Sequence, residues 1–381
     1  MRHWHSKTPC SKLFTLSRAA IMGLTIAAIS QGIFNSTEAL SIHHSPLTSA
    51  PAAHHSGLLQ DSYIGKLHAA RLALQSENLP LAQRYYNESV ALEPGNVIAL
   101  YNLALIYTEQ AERSGSITEK HRLFGLAEQS LLKLHSIHPD LAGTYFLLGR
   151  IDLLRDDAKK AVEHYKLGLM YLPENGFLHF NLATVLDHLN EKEKALSEYQ
   201  AAVTYEPGYA PAHNNMGLIL EQLQQPEAAE LAYRKAITAN PEYTFARLNL
   251  GNLYQQQNQL QKALQAFTEA TQKDPKNYWA HLYVGNLLFQ LSEYPGAAVA
   301  YSTASQINPD DGAAFYLLAV TLHRVNRLNE AQTACLNYMA HNPQGSYRSD
   351  VIRLLEVIEY QRQLGNAPYN AQLQTIQAKY P

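Results

Sequence analysis

Prolines recur along this chain at a spacing that leaves little choice of fold. They stand at Pro94, Pro139, Pro173, Pro207, Pro241, Pro275, Pro309 and Pro343. From Pro139 onward every interval is 34 residues, and the first interval exceeds that period by an 11-residue insertion. A constant interval of this length marks a supersecondary unit that buries its apolar face only against its neighbours. A chain of 381 residues would otherwise suggest two or three globular domains. An array escapes that expectation, because it lengthens without enlarging any one core.

Other positions keep the same period. With each proline set at position 32, position 20 is Ala82, Ala127, Ala161, Ala195, Ala229, Ala263, Ala297 and Ala331. Position 8 is always small: Ala70, Ala104, Gly149, Ala183, Gly217, Gly251, Gly285 and Ala319. Position 24 is a ring in six units (Tyr86, Tyr165, Tyr199, Tyr233, Phe267, Tyr301) and Leu131 or Cys335 in the others. Small residues allow two helices to approach closely, the ring fills the space between hairpins, and the proline stops the second helix. This pattern resembles the tetratricopeptide repeat (TPR) over residues 63–345. The resemblance implies an all-α fold: a right-handed α-solenoid of about eight helix hairpins. Ser346–Gly365, apolar on one face and charged on the other, predicts a C-terminal capping helix, with residues 346–381 forming cap and tail.

Two departures from the family pattern carry expectations. Position 4, often Trp in that family, is Lys66, Leu100, Tyr145, His179, His213, Arg247, His281 and Phe315, which suggests a looser outer edge. The insertion at Glu112–Arg122 is expected to lengthen the turn inside the second repeat.

The first 39 residues differ from the rest. Arg2, Lys7, Lys12 and Arg18 precede an apolar run from Ala19 to Phe34, and no acid occurs before Glu38. That is the layout of a signal peptide, with Thr37 and Ala39 as its small cleavage-site residues; an uncleaved membrane anchor or a transit peptide is the alternative. Export to the periplasm or another extracytoplasmic space is therefore expected. Residues 40–62, rich in Ser, Pro, Ala and His, read as a flexible linker. His43, His44, His54 and His55 could hold a transition metal weakly, but no dedicated metal site or cofactor is expected.

Chemistry is otherwise absent from the pattern. No HExxH, CxxC, GxSxG or phosphate-binding glycine loop occurs, and the acids lie scattered, so an enzyme is not expected. Thirty basic against 33 acidic residues leave no excess to draw the chain onto nucleic acid. The expected partner is a protein or peptide, with the membrane reached only through the N-terminal segment.

The family resemblance further implies that the first (A) helix of each hairpin lines a concave groove with positions 2, 5, 6, 9 and 12. Position 6 is Asn102, Asn181, Asn215 and Asn249 in four repeats. This resembles the asparagine ladder in the TPR arm of O-linked GlcNAc transferases, which grips extended polypeptide. An amide offers donors and an acceptor, so it can bind a peptide backbone whatever the side chains. Phe180, Asn214, Asn252, Trp279 and Asn286 flank the ladder, with Phe177, Phe245 and Tyr316 nearby. Position 5 holds no lysine, which disfavours the carboxylate clamp of chaperone-binding TPRs. The expectation is a protein-binding adaptor that holds an extended segment of its partner and organises an envelope complex. The rival is an accessory subunit that presents substrate to an enzyme such as a glycosyltransferase or a cytochrome-assembly ligase.

Overall fold

The computed structural model describes residues 62–363. The N-terminal signal or anchor, the linker histidines and the tail beyond Pro368 lie outside the described residues. The described residues form seventeen α-helices and no strand, the all-α solenoid of helix hairpins that the period predicts. They divide into two compact units at Tyr205/Glu206.

In the first unit, four hairpins pair α1 (Tyr63–Gln75) with α2 (Leu79–Leu92), α3 (Val97–Arg113) with α4 (Ile117–Ile137), α5 (Ala142–Leu154) with α6 (Ala158–Tyr171), and α7 (Gly176–His188) with α8 (Lys192–Tyr205). The second unit pairs α9 (Ala210–Gln222) with α10 (Pro226–Ala239), α11 (Thr244–Gln256) with α12 (Leu260–Lys273), α13 (Tyr278–Gln290) with α14 (Tyr294–Ile307), and α15 (Gly312–Arg324) with α16 (Leu328–His341). Its last helix is α17 (Arg348–Gln363). The expected cap is present. Val351 and Ile358 of α17 are fully buried in a cluster with Cys335 and Tyr338.

The periodic residues do what their sizes suggest. All eight position-20 alanines are fully buried. So are Tyr165, Tyr199, Tyr233, Phe267 and Tyr301, each at 1% exposure or less. The rings, expected to fill the space between hairpins, press on the position-8 glycine of their own hairpin where there is one, and Phe267 also stacks on Tyr283 of the next. A Cβ built on Gly149, Gly217, Gly251 or Gly285 would lie 2.3–2.6 Å from the facing ring.

Each hairpin turns on three residues, and in all but the second hairpin the middle one adopts a left-handed backbone. It is Glu77, Asp156, Asn190, Gln224, Asn258, Ser292 or Asn326, with φ between 55° and 66°. The next residue's N–H then reaches back to the first helix, as in Asp157 to Asp152 O at 2.9 Å and Gln259 to Tyr254 O at 2.8 Å, closing its C-terminus.

The insertion does not lengthen a turn. Helices α3 and α4 are 17 and 21 residues long, where the other hairpins have 13 and 14, and Ser114–Ser116 still join them. The extra residues extend α3 by one helical turn and α4 by two. Whole turns keep each apolar face in phase with its neighbours, so the hairpin grows without rotating its core residues.

Position 4 is also tighter than expected. In five of the eight repeats its side chain reaches the carbonyl of the proline six residues earlier, just past the end of the preceding helix. Leu100 has no donor, and Lys66 has no such proline. Tyr145 Oη donates to Pro139 O at 2.5 Å, and Arg247 Nη1 to Pro241 O at 2.5 Å. His179, His213 and His281 place Nε2 2.9–3.0 Å from the carbonyls of Pro173, Pro207 and Pro275. Phe315 has no donor, and Asn342 Nδ2 serves Pro309 O instead, at 3.2 Å. These carbonyls sit at helix C-termini, where intrahelical partners run out. Tyr, His and Arg look unrelated in sequence, but each supplies a donor at the required reach.

The histidines give the two units opposite responses to acid. In the first unit, the hydrogen bond that His179 Nδ1 donates to Glu198 Oε2, at 2.6 Å, holds the imidazole above its ordinary 6.5. In the second unit, burial pushes His213 and His323 below 6.5, and His213 Nδ1 is buried without a partner. A raised histidine contributes stability that is complete below 6.5 and fades as pH rises through its folded pKa. A depressed one contributes stability that is complete above 6.5 and is lost as pH falls toward its folded pKa. Acidification from pH about 7 to about 5 should therefore lower protection of α9 and α15 and raise it in α7. Hydrogen exchange, corrected for the intrinsic rate, reads this directly. In His213→Gln, whose amide still reaches Pro207 O, the response at α9 should vanish.

Candidate functional site

The predicted groove residues separate by unit. In the first unit, Asn102 Nδ2 donates to Ile98 O at 2.8 Å and Asn181 Nδ2 to Phe177 O at 2.7 Å. Each amide is tied one turn back along its own helix. Phe180 is 8% exposed and its ring tilts against Tyr199 at 5.8 Å, so it acts as core more than as contact surface.

In the second unit the asparagines meet one another. Asn249 Nδ2 on α11 donates to Asn214 Oδ1 on α9 at 2.9 Å, and Asn214 Nδ2 donates to Asn215 Oδ1 at 3.2 Å. Asn214 is 3% exposed. It is the buried link of a relay whose two outer members, Asn215 and Asn249, are half-buried. A second amide bridge joins successive A helices further along, from Gln255 Nε2 on α11 to Gln290 Oε1 on α13 at 3.2 Å. Asn214 was among the expected groove residues, but neither its bridging role nor the glutamine bridge follows from spacing alone. The signal available was the doubled Asn214-Asn215.

Asn286 turns toward its own hairpin and accepts from Tyr301 Oη at 2.9 Å. Asn252 is half-buried on α11. Trp279 is half-buried beside the cluster of Leu282 and Tyr301, edge-on to Tyr278 at 5.0 Å and tilted to Tyr283 at 6.3 Å. Tyr283 in turn stacks on Phe267 at 5.1 Å. Phe245, at position 2 of α11, is 48% exposed. Tyr316 stacks on Tyr347 at 4.6 Å. The A-helix face of this unit thus combines bridged amides with half-exposed rings. Amides can bond a peptide backbone and rings can receive its side chains.

Nothing among the described residues gathers three or more His, Cys, Asp or Glu as a metal would need, and no described helix is long and apolar enough to cross a membrane. A polar cavity of about 360 Å³ lies between the start of α15 and the end of α16, lined by Asp310, Asp311, Asn342, Ser346 and Tyr347 among others.

Tetratricopeptide-repeat family profiles match residues 67–114, 178–209, 210–243 and 248–311. No curated protein matches the chain. Among solved structures, it is similar to the C-terminal part of a TPR repeat-containing protein from Cytophaga hutchinsonii, at 15% identity and a TM-score of 0.50, covering 66% of this chain and 99% of that one. It is also similar to Pseudomonas aeruginosa PilF, at 22% identity and a TM-score of 0.47, over 55% of this chain and 95% of that one. A further similarity is to YrrB, described as a TPR protein with an unusual peptide-binding site, at 20% identity and a TM-score of 0.41, over 51% and 100% of the two chains. The first of these likenesses concerns the fold alone. The period, the hairpins with their buried alanines and rings, and the four profile matches agree: the chain belongs to the tetratricopeptide-repeat family.

Proposed function

We propose that this chain is a protein-binding adaptor whose A helices hold an extended segment of a partner protein, and that it organises a complex outside the cytoplasm. The observation that carries the reading is the amide relay from Asn249 through Asn214 to Asn215, set among half-exposed rings. Such a face binds through many modest contacts. Backbone hydrogen bonds hold the segment, and rings such as Phe245 and Trp279 choose its side chains. The basic and then apolar N-terminal segment supports export. Fusing residues 1–62 to a reporter that folds only after export tests that part.

A photo-crosslinker at Asn215 in the native host tests the groove. A discrete captured protein is expected. Capture should fall roughly fivefold or more in Asn181→Ala/Asn249→Ala, since each lost amide removes about 0.5–1.5 kcal/mol of hydrogen bonding. Capture that persists in the double variant would move binding onto the rings. No specific capture would count against this face.

A further inference from the structure

Charge is nearly missing from the A helices of the second unit. The four helices α9, α11, α13 and α15, each of 13 residues, contain three formal charges: Glu221, Arg247 and Arg324. Charged residues make up 17% of the whole chain. The A helices of the first unit hold Lys66, Glu109, Glu112, Arg150, Asp152 and Asp187 among others.

Each of the three charges is already engaged. Arg247 is 6% exposed and its guanidinium is fixed on Pro241 O. Glu221 accepts the Tyr233 hydroxyl across its own hairpin. Arg324 lies over the rings of Phe289 and Tyr294 at 5.7 and 5.4 Å. What remains at the surface of these helices includes Asn215, Asn249, Asn252, Gln255, Gln290 and the rings, with Asn214 buried beneath them. Amides and rings can replace the water around a peptide bond, a hydroxyl or an apolar side chain. They cannot replace the water around an ammonium or a carboxylate with an opposite charge.

We infer that the A-helix face of the second unit selects an uncharged stretch of its partner, rich in Ser, Thr, Asn, Gln and small apolar residues and free of Lys, Arg, Asp and Glu. The inference rests on the adaptor reading and narrows it to a ligand class. Four helices at roughly 8–10 Å spacing correspond to about seven to nine residues of extended chain. A charge placed within that stretch loses hydration without gaining a partner, so binding weakens by about tenfold or more per charge. With no ion pair contributing, affinity stays level as salt screens the solution.

The test uses the purified full chain and a random library of displayed peptides about 12 residues long. Selection is run at about 50 and about 500 mM salt, and the best sequence is then synthesised for titration. The expected result is enrichment of sequences depleted in all four charged residues at their centre, with dissociation constants that agree within about twofold between the two salts. In Asn252→Glu, with an unchanged circular dichroism spectrum, Lys and Arg should enter the enriched sequences. Enrichment of charged sequences by the native chain, or affinity that falls steeply with salt, overturns the selectivity and leaves the adaptor reading standing. The same holds if Asn252→Glu selects the native set. Absence of any enrichment overturns the groove reading, and this inference with it.

Discussion

Phe267→Ala is expected to lower the stability of the second unit by about 3–5 kcal/mol, the range for emptying a fully buried aromatic site. Its ring is 0% exposed and presses on Gly251, where an added Cβ would lie 2.4 Å from Cε1 and 2.7 Å from Cδ1. That contact makes a sharper prediction about Gly251→Ala. In the native background the new methyl must displace the ring, at a cost of about 1–3 kcal/mol, and the better helix propensity of alanine offsets up to about 1 kcal/mol of it. In the Phe267→Ala background the obstacle is gone and only the propensity gain remains, so Gly251→Ala should stabilise. One substitution changes sign with its neighbour, which is the mark of direct coupling. Urea unfolding of the four members of the cycle measures it, with hydrogen exchange in α11 and α12 to separate local from global opening, since repeat arrays unfold in parts. Equal effects of Gly251→Ala in both backgrounds would show that the ring gives way freely. The hairpin of α7 and α8 carries Ala183 at the same repeat position, and its ring, Tyr199, lies with its hydroxyl 3.2 Å from Thr184 Oγ1 and tilts against Phe180.

The repeat itself was legible because each of its marks answers to a single steric demand. A position that must be small, or must stop a helix, admits few residue types, and the prolines and alanines report it directly. The position-4 contacts were illegible for the opposite reason. The demand there is a donor at a certain reach, which Tyr145, His179, Arg247 and, from another helix, Asn342 all meet. Chemically unlike residues hide a common role, and the series reads as a loose edge. The insertion misled through a similar gap, because its length says nothing about whether the residues join the helices. Its whole-turn length was the only hint. In the ladder, spacing found Asn181, Asn215 and Asn249 but not what their amides do. Asn181 bonds its own helix, whereas Asn249 crosses to Asn214. Side-chain rotamers decide between those states, and a period of 34 residues is silent about rotamers.

Ile358→Asp should detach the C-terminal cap and make the chain self-associate. Ile358 and Val351 are both 0% exposed on α17, and with half-buried Leu354 and Leu355 they cover Ala334, Cys335 and Tyr338. Tyr338 is itself held tightly: its hydroxyl accepts Tyr347 N–H at 2.9 Å, and a Cβ at Gly312 or Gly345 would come within 2.5 Å of it. An aspartate in that cluster forfeits about 1.5–3 kcal/mol of apolar burial and adds the several kcal/mol needed to bury an unpaired carboxylate. Releasing α17 is cheaper than accepting that charge, because among the described residues it packs only on the hairpin before it. The surface it leaves is apolar, and a terminal repeat without its polar cover associates with another. The Cys335 thiol gives a local readout. Burial pushes it up to about 12, so in the folded chain it is inert to thiol reagents near neutral pH. In a Cys10→Ser background, Ile358→Asp should label at Cys335 in minutes, lose protection in α17, and sediment as concentration-dependent oligomers while α9 to α12 stay protected. Ile358→Val, costing about 0.5–1.5 kcal/mol, should remain monomeric and unlabelled. A monomeric Ile358→Asp with a protected thiol would mean that α17 shifts to bring the carboxylate to water, and that the cap is held by Val351 and the Tyr338–Tyr347 contact alone.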